Sequence, residues 1–288
     1  MQPAPPSREI LECVVNVSEG TDAAVISQIC SAAAGALADV HSDPFHNRSV
    51  LTLAGGYAYE AAQRLTRICV DLLDVSAHRG AHPRLGVVDV VPFVPLSLHA
   101  RGRVANADLA GALIARDRFA SWAAQELELP CFLYGPERSL PEIRRRAFSS
   151  LEPDTGPKSP HPSAGATSVG ARRILVAYNL WLAAGDLDLA RAIARDLRGP
   201  LVRALGLRVG STLQVSCNLL EPALIGPEQV FDAVARRADI ERAELVGLLP
   251  AQVLDPIGVH RHRELDVGED RTIESRLAEL AAPPSTLG

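Results

Sequence analysis

The chain has 288 residues, of which 47% are apolar and 22% charged, with a formal net charge of -5. That is chain enough for one large core or two small ones, and an acidic balance argues against nucleic acid and anionic membrane surfaces as partners. No apolar run reaches the roughly 18 residues a membrane span needs, and the opening MQPAPPSRE lacks a secretory leader's layout, so a cytoplasmic protein is expected.

Residues 1–9 are expected to be disordered. Leu11 to Val17 (LECVVNV) form a β-rich run that ends at the turn Ser18-Glu19-Gly20. Asp22 is placed to cap a helix bearing Val25, Ile26, Ile29, Cys30, Ala33 and Leu37 at helical spacing. A polar stretch, His41 to Arg48, reads as turn, and SVLTLAG as a second strand stopped by Gly55-Gly56. Ala61, Leu65, Ile68, Leu72 and Leu73 share one face of the next helix. After a loop from Ser76 to Leu85 comes VVDVVPFVPL, a strand whose prolines predict a sheet edge or a strand end. Ala105 to Glu128 reads as helix, CFLYG as strand, and Leu140 to Phe148 as a short helix.

Residues 149–168 are rich in proline, serine and glycine and read as loop, too long for a neutral connector in a compact domain. The pattern resumes with strand ILVAYNLWL, helix Leu187–Leu197, strands near Leu207–Val209 and Leu213–Leu219, helix Val230–Ala238 and strand ELVGLLP. Beyond Pro256 the chain reads as a polar tail, 256–288, whose helical stretch Thr272–Leu280 either docks or frays. No glycine-rich phosphate loop follows the first strand. The alternation predicts an α+β protein of two stacked sandwiches.

The five cysteines (Cys13, Cys30, Cys69, Cys131, Cys217) are scattered, with no CxxC pair, and read as reduced core residues. His78 and His82, four apart, would face one side of a helix and suit zinc, but Gly80 and Pro83 make this stretch a loop. Two readings remain for it: solvated histidines on a surface loop, or a stiff loop presenting an imidazole that titrates near neutrality. Arg79 and Arg84 add fixed positive charge suited to carboxylates. Gly156-Pro157-Lys158-Ser159-Pro160-His161-Pro162-Ser163-Ala164-Gly165 contains the sole lysine and is either a linker or a binding strip open to a flat ligand at its glycines. Asp39, His41, Asp43, His46, Asn47 and Arg48 form a third polar cluster without a third strong metal ligand, so no metal is expected. Tyr178-Asn179 and Gln214 to Asn218 put amides on strands, as core groups or as substrate donors.

Taken in order, ECVVNVSEG, HNRSV, HRGAHPRLGVVDVVPFVPL, HPSAGATSVGAR, LVAYNLWL, LQVSCNLLEP and ELVGLLP resemble the formiminotransferase domain over roughly residues 10–250. The resemblance implies two ferredoxin-like α/β subdomains, 10–173 and 174–255, with a substrate groove between them, and a homodimer. It implies that His82 matches the family's catalytic histidine and that Gly156 to Gly165 match its folate-binding stretch. Tetrahydrofolate would be the co-substrate and N-formiminoglutamate the donor, with Arg48, Arg79, Arg84 and His41 as candidate substrate-binding residues. The chain departs from the family where Asp-Val-Asp becomes Asp39-Val40-His41, and where the proline before Asn16 becomes Val15. Formyl transfer from N-formylglutamate and a non-catalytic folate-binding paralogue are the competing expectations.

Overall fold

The computed structural model describes residues 9–80, 84–99 and 102–282. Its first sheet is built from β1 (Leu11–Val17), β2 (Leu37–Asp43), β3 (Arg48–Gly55), β4 (Val88–Leu98), β5 (Val104–Asn106), β6 (Cys131–Tyr134) and β7 (Thr167–Ala171). The strand order is β2-β3-β1-β4-β7-β6, with β5 paired to β4. Helices α1 (Ala23–Ala32), α2 (Ala58–Leu72) and α3 (Ala110–Leu127) cover one face, and α4 (Leu140–Arg146) lies on the other. The second sheet has order β11-β8-β10-β9, from β8 (Val176–Leu182), β9 (Val202–Val209), β10 (Thr212–Leu219) and β11 (Ile240–Val246). Helices α5 (Leu187–Leu197) and α6 (Pro227–Ala235) pack on it. Both units run strand–helix–strand–strand–helix–strand, and in each the first strand lies between the third and the fourth, the split β-α-β-β-α-β arrangement.

Local sequence accounts for most elements. The Asp22 carboxylate accepts from the Ala24 and Val25 amides and starts α1 as expected. In α2 the buried residues Ala58, Ala61, Ala62, Leu65 and Cys69 recur at helical spacing. In β1, alternation sends Leu11, Cys13, Val15 and Val17 into the helix-covered core, and Glu12, Val14 and Asn16 to the opposite face. The five cysteines are free thiols, four of them buried.

Four expectations are corrected. Leu37 belongs to β2, not to the first helix, and the polar run from His41 opens inside that strand. Its hydrophobic alternation is short because β2 is an edge strand with few buried positions. Within the segment read as helix from Ala105, residues 104–106 form β5 and the helix begins at Ala110. TSVGA, whose first two residues fell in the stretch read as loop and whose rest was assigned to no strand, is the buried strand β7, whose small residues fit it between β4 and β6. Finally, β4 is central despite Pro92 and Pro95.

The proline problem in β4 has a local solution. Leu96 N–H donates to Ile10 O, so even-numbered β1 residues turn their backbone groups toward β4. Pairing of Cys13 with Phe93 and of Asn16 with Val90 leaves the Val14 carbonyl facing Pro92, which has no N–H to give. Asn16 Nδ2 donates to that carbonyl at 3.1 Å instead.

The segment after Pro256 docks. Leu265 and Val267 are buried in the second core, and the Tyr178 hydroxyl donates to Leu265 O at 2.8 Å. Helices α7 (Ala251–Leu254) and α8 (Ile273–Ala281) follow β11, and α8 returns to the first sheet, where Ile273 and Leu277 meet Ala38 and Ala54. Among the described residues, no helix is long and apolar enough to cross a membrane.

Candidate active site

The helix-free strip of the first sheet lies between α4 and α8. Helix α4 covers Val90, Phe132 and Tyr134, while α8 and Leu248 cover Ala54 and Val94. Pair register places His41, Val50, Asn16, Val90 and Ser168 in one row across this strip, and Thr52 beside Asp39 in the next. Glu12 sits between Ala54 and Val94. The second sheet brings Asn179, Trp181, Gln214 and Glu244 on the side away from its own helices. His41 Nε2 lies 3.6 Å from Glu244 Oε1, and Gly247 lies over the Thr52 hydroxyl. Phe45, at the β2–β3 turn, lies beside Gly210 of the β9–β10 turn.

This surface is under-bonded. Among the described residues, Glu12 Oε2, Asp39 Oδ2, Thr52 Oγ1, Ser168 Oγ and Gln214 Nε2 are buried without a hydrogen-bond partner. Such groups are expensive to leave unmade and are a feature of sites that take ordered water or a polar ligand. Burial pushes the Glu12 carboxyl up to about 7, against the opposing pull of Arg172.

A cationic cluster stands at the end of the strip. The β1–β4 ladder shifts between Asn16 and Val17, which pair with Val90 and Val88 and leave Asp89 as the extra residue of a bulge. Its carboxylate, 2% exposed, accepts the Leu85 amide at 2.8 Å and is held by Arg144 of α4 through both guanidinium nitrogens. Burial lowers the Arg48 and Arg84 pKa values, and Asp89 opposes the shift for both. Arg48, Arg84 and Arg144 are thus gathered around Asp89, with Asp43 and Glu244 also acting on Arg48, and guanidiniums are the groups that suit carboxylates. Replacing Asp89 with asparagine is expected to cost about 2 kcal/mol of stability, less than outright loss of a buried ion-pair partner because one hydrogen bond survives. Urea denaturation of the purified variant measures it.

The histidine loop is fastened on both sides of its undescribed tip, and His82 itself lies outside the described residues, with Ala81 and Pro83. Before the tip, Asn47, in left-handed backbone at φ 45°, donates from Nδ2 to Arg79 O and accepts the Gly20 amide. His78 Nε2 lies 2.8 Å from both Asn47 O and an Arg84 nitrogen, so it serves one of them at a time, as donor or as acceptor. Gly80 packs so closely on the His46 carbonyl that a Cβ would stand 2.5 Å from it. Burial lowers the His46 pKa, outweighing the opposing Asp43 carboxylate. Arg79 folds its guanidinium onto Ser76 O and His78 O of its own loop.

After the tip, the chain locks onto the strip Gly156–Gly165. Ala166 N–H donates to Leu85 O and Val87 N–H to Ala164 O, while from before residues 81–83 Val75 N–H donates to Ser163 O. His161 and Gly165 exchange two backbone hydrogen bonds, and His161 Nδ1 accepts the Ala164 amide at 3.0 Å. A Cβ on Gly165, whose φ is +73°, would stand 2.3 Å from Leu85 O. Gly165→Ala is therefore expected to destabilise by about 1–3 kcal/mol through backbone strain and to loosen the two segments together. Hydrogen exchange at Val75 and Val87 reads that loosening. Residues 156–160 are exposed, and Lys158 pairs with exposed Glu152 at 2.9 Å.

A family model described as the formiminotransferase domain, N-terminal subdomain, matches residues 10–172. The chain belongs to the formiminotransferase family. It is 33% identical over 279 residues to a glutamate formimidoyltransferase of Streptococcus pyogenes serotype M1, covering 85% of this chain and 91% of that protein. A glutamate formimidoyltransferase of Thermoplasma acidophilum is 32% identical over 308 residues, covering 95% of this chain and 98% of its own length. The formimidoyltransferase-cyclodeaminase of Sus scrofa is 34% identical over 285 residues, which span 85% of this chain and 51% of that protein.

Within this formiminotransferase fold, reading the sequence missed four polar residues. Asp89 had a signal, a lone acid in an apolar strand, and so had Glu12 in LECVVNV. Arg144 and Glu244 had none, because a charged helix and a half-polar edge strand are ordinary surface features.

Proposed function

We propose that the chain is a glutamate formimidoyltransferase, moving the formimino group of N-formiminoglutamate to N5 of tetrahydrofolate as co-substrate. The observation that carries the reading is the lock between the histidine loop and the glycine-bounded strip, at Leu85–Val87 against Ser163–Ala166. It ties the loop bearing His82 to the segment that resembles the family's folate-binding stretch. The relatives named above support the same activity.

In this reaction N5 attacks the formimino carbon, giving a tetrahedral adduct, and the glutamate nitrogen takes a proton as it departs. His82, the assigned proton-transfer residue, accepts one proton and returns one. Arg48 and Arg84, with Arg144, supply positive charge for the carboxylates of donor and folate. Residues Gly156 to Gly165 form the folate strip. A cytoplasmic homodimer completes the reading.

The test is a spectrophotometric transfer assay of the full chain with tetrahydrofolate and, in separate arms, N-formiminoglutamate and N-formylglutamate. Turnover with the formimino donor supports the proposal. Turnover with the formyl donor alone redirects it to formyl transfer, and folate binding without turnover on either replaces it with a binding role.

A further inference from the structure

A second imidazole, on the helix-free side of the first sheet, has no role in the reaction above. His41 lies on β2 and Glu244 on β11, the edge strands of the two sheets. Their Nε2 and Oε1 atoms are 3.6 Å apart, an ion-pair separation slightly longer than a hydrogen bond. The two side chains are 23% and 12% exposed, so both keep some access to solvent.

The carboxylate is fixed from its own sheet. Asn179 Nδ2 and Trp181 Nε1 both donate to Oε2 at 3.0 Å, and Arg242 donates to Oε1 at 3.2 Å. The Arg242 guanidinium also stacks 4.3 Å over the Trp181 ring, which holds both donors in place. Burial works to raise the Glu244 pKa, but the donors Asn179 and Trp181, then His41 and Arg242, outweigh it and lower the pKa. A carboxylate held ionised and immobile is fitted to orient an imidazole. His41 stands where the resembled pattern has a carboxylate, and here the opposing carboxylate comes from the other sheet.

We infer that His41 and Glu244 form an imidazole–carboxylate dyad, assembled only where the two sheets meet, in which His41 exchanges a proton with the reacting nitrogen and Glu244 positions it. This rests on the transfer reaction proposed above, which needs proton transfers at two different atoms. Of the two transfers given above to His82, the first passes to His41: as the N5–carbon bond forms, His41 takes the proton that N5 releases. As the carbon–nitrogen bond to glutamate breaks, His82 supplies the proton the departing amine needs. The proton left on His41 returns to His82 through solvent, and the turnover balances.

The experiment uses the full chain with tetrahydrofolate and N-formiminoglutamate. His41→Ala and Glu244→Gln are each expected to lower kcat by about 10–100-fold while KM for either substrate stays within about twofold. Glu244→Asp restores part of the loss. A long-range proton–nitrogen correlation spectrum of the His41 ring is expected to show one tautomer in the wild type and a mixture in Glu244→Gln, at unchanged thermal midpoint. A merely structural carboxylate would move the midpoint instead. Unchanged kcat in His41→Ala, with wild-type transfer intact, overturns the dyad and leaves the transferase reading standing. No transfer by the wild type overturns that reading and the dyad's catalytic role with it. Should His41→Ala fail to fold, His41→Gln gives the same kinetic comparison.

Discussion

Replacing His82 with alanine is expected to lower kcat for formimino transfer by about 10²–10⁴-fold, the range a positioned acid–base group contributes. Tetrahydrofolate binding should stay within a few-fold of wild type, because the strip proposed to bind folate is fastened through backbone groups of residues 85–87 and 161–166 rather than through that ring. The described residues on either side of 81–83 are fastened. Asn47 holds Arg79, Gly80 rests on His46, and Leu85 is tied to Asp89 and Ala166. A loop anchored at both ends loses little entropy when it presents one side chain. Single-turnover transfer and equilibrium folate titration, run on the same preparation, separate the two effects. Wild-type turnover in the variant would remove His82 from the mechanism.

The second large effect concerns stability. Glu12 is 3% exposed, has an unpartnered oxygen, and is raised by burial from 4.5 to about 7. Between those two pH values the folded chain keeps a proton that the unfolded chain has released, so stability falls as pH rises and the loss is complete above about pH 7. The expected loss from this one group is about 3 kcal/mol. Glu12→Gln removes the titration, so its stability advantage over the wild type should grow by that amount between pH 4.5 and pH 8. Urea unfolding at both values measures it. An advantage that does not change with pH would mean that Glu12 is already ionised in the fold.

Glu12 also shows where linear reading stops. Its strand was legible, because apolar residues alternate along LECVVNV, yet alternation says only that Glu12 faces away from the helices. What covers that face is Leu248, just after β11, and α8, from the segment read as a polar tail. The same holds for β4. Two prolines argued for an edge or a strand end, yet Pro92 is accommodated at the sheet centre by Asn16, and Pro95 lies beyond the last β7 pairing, Phe93 with Ala171. Strand β7 escaped notice because glycine and serine carry no hydrophobic period, although between two larger strands small side chains are what fits. Tyr134 lies across Gly170 so closely that a Cβ there would stand 2.1 Å from its ring.

The amino-acid sequence by itself determined the start of α1, most strands, the α+β class and the chemical kinds of the candidate groups: imidazoles, guanidiniums and a glycine-bounded strip. These follow from caps, periodicity and residue chemistry, which act over a few neighbours. Tertiary structure alone decided which of those groups meet. A one-residue bulge turned Asp89 toward Arg144, and two edge strands from separate sheets brought His41 to Glu244. Register and sheet packing set such encounters, and neither is written in the spacing of any single segment.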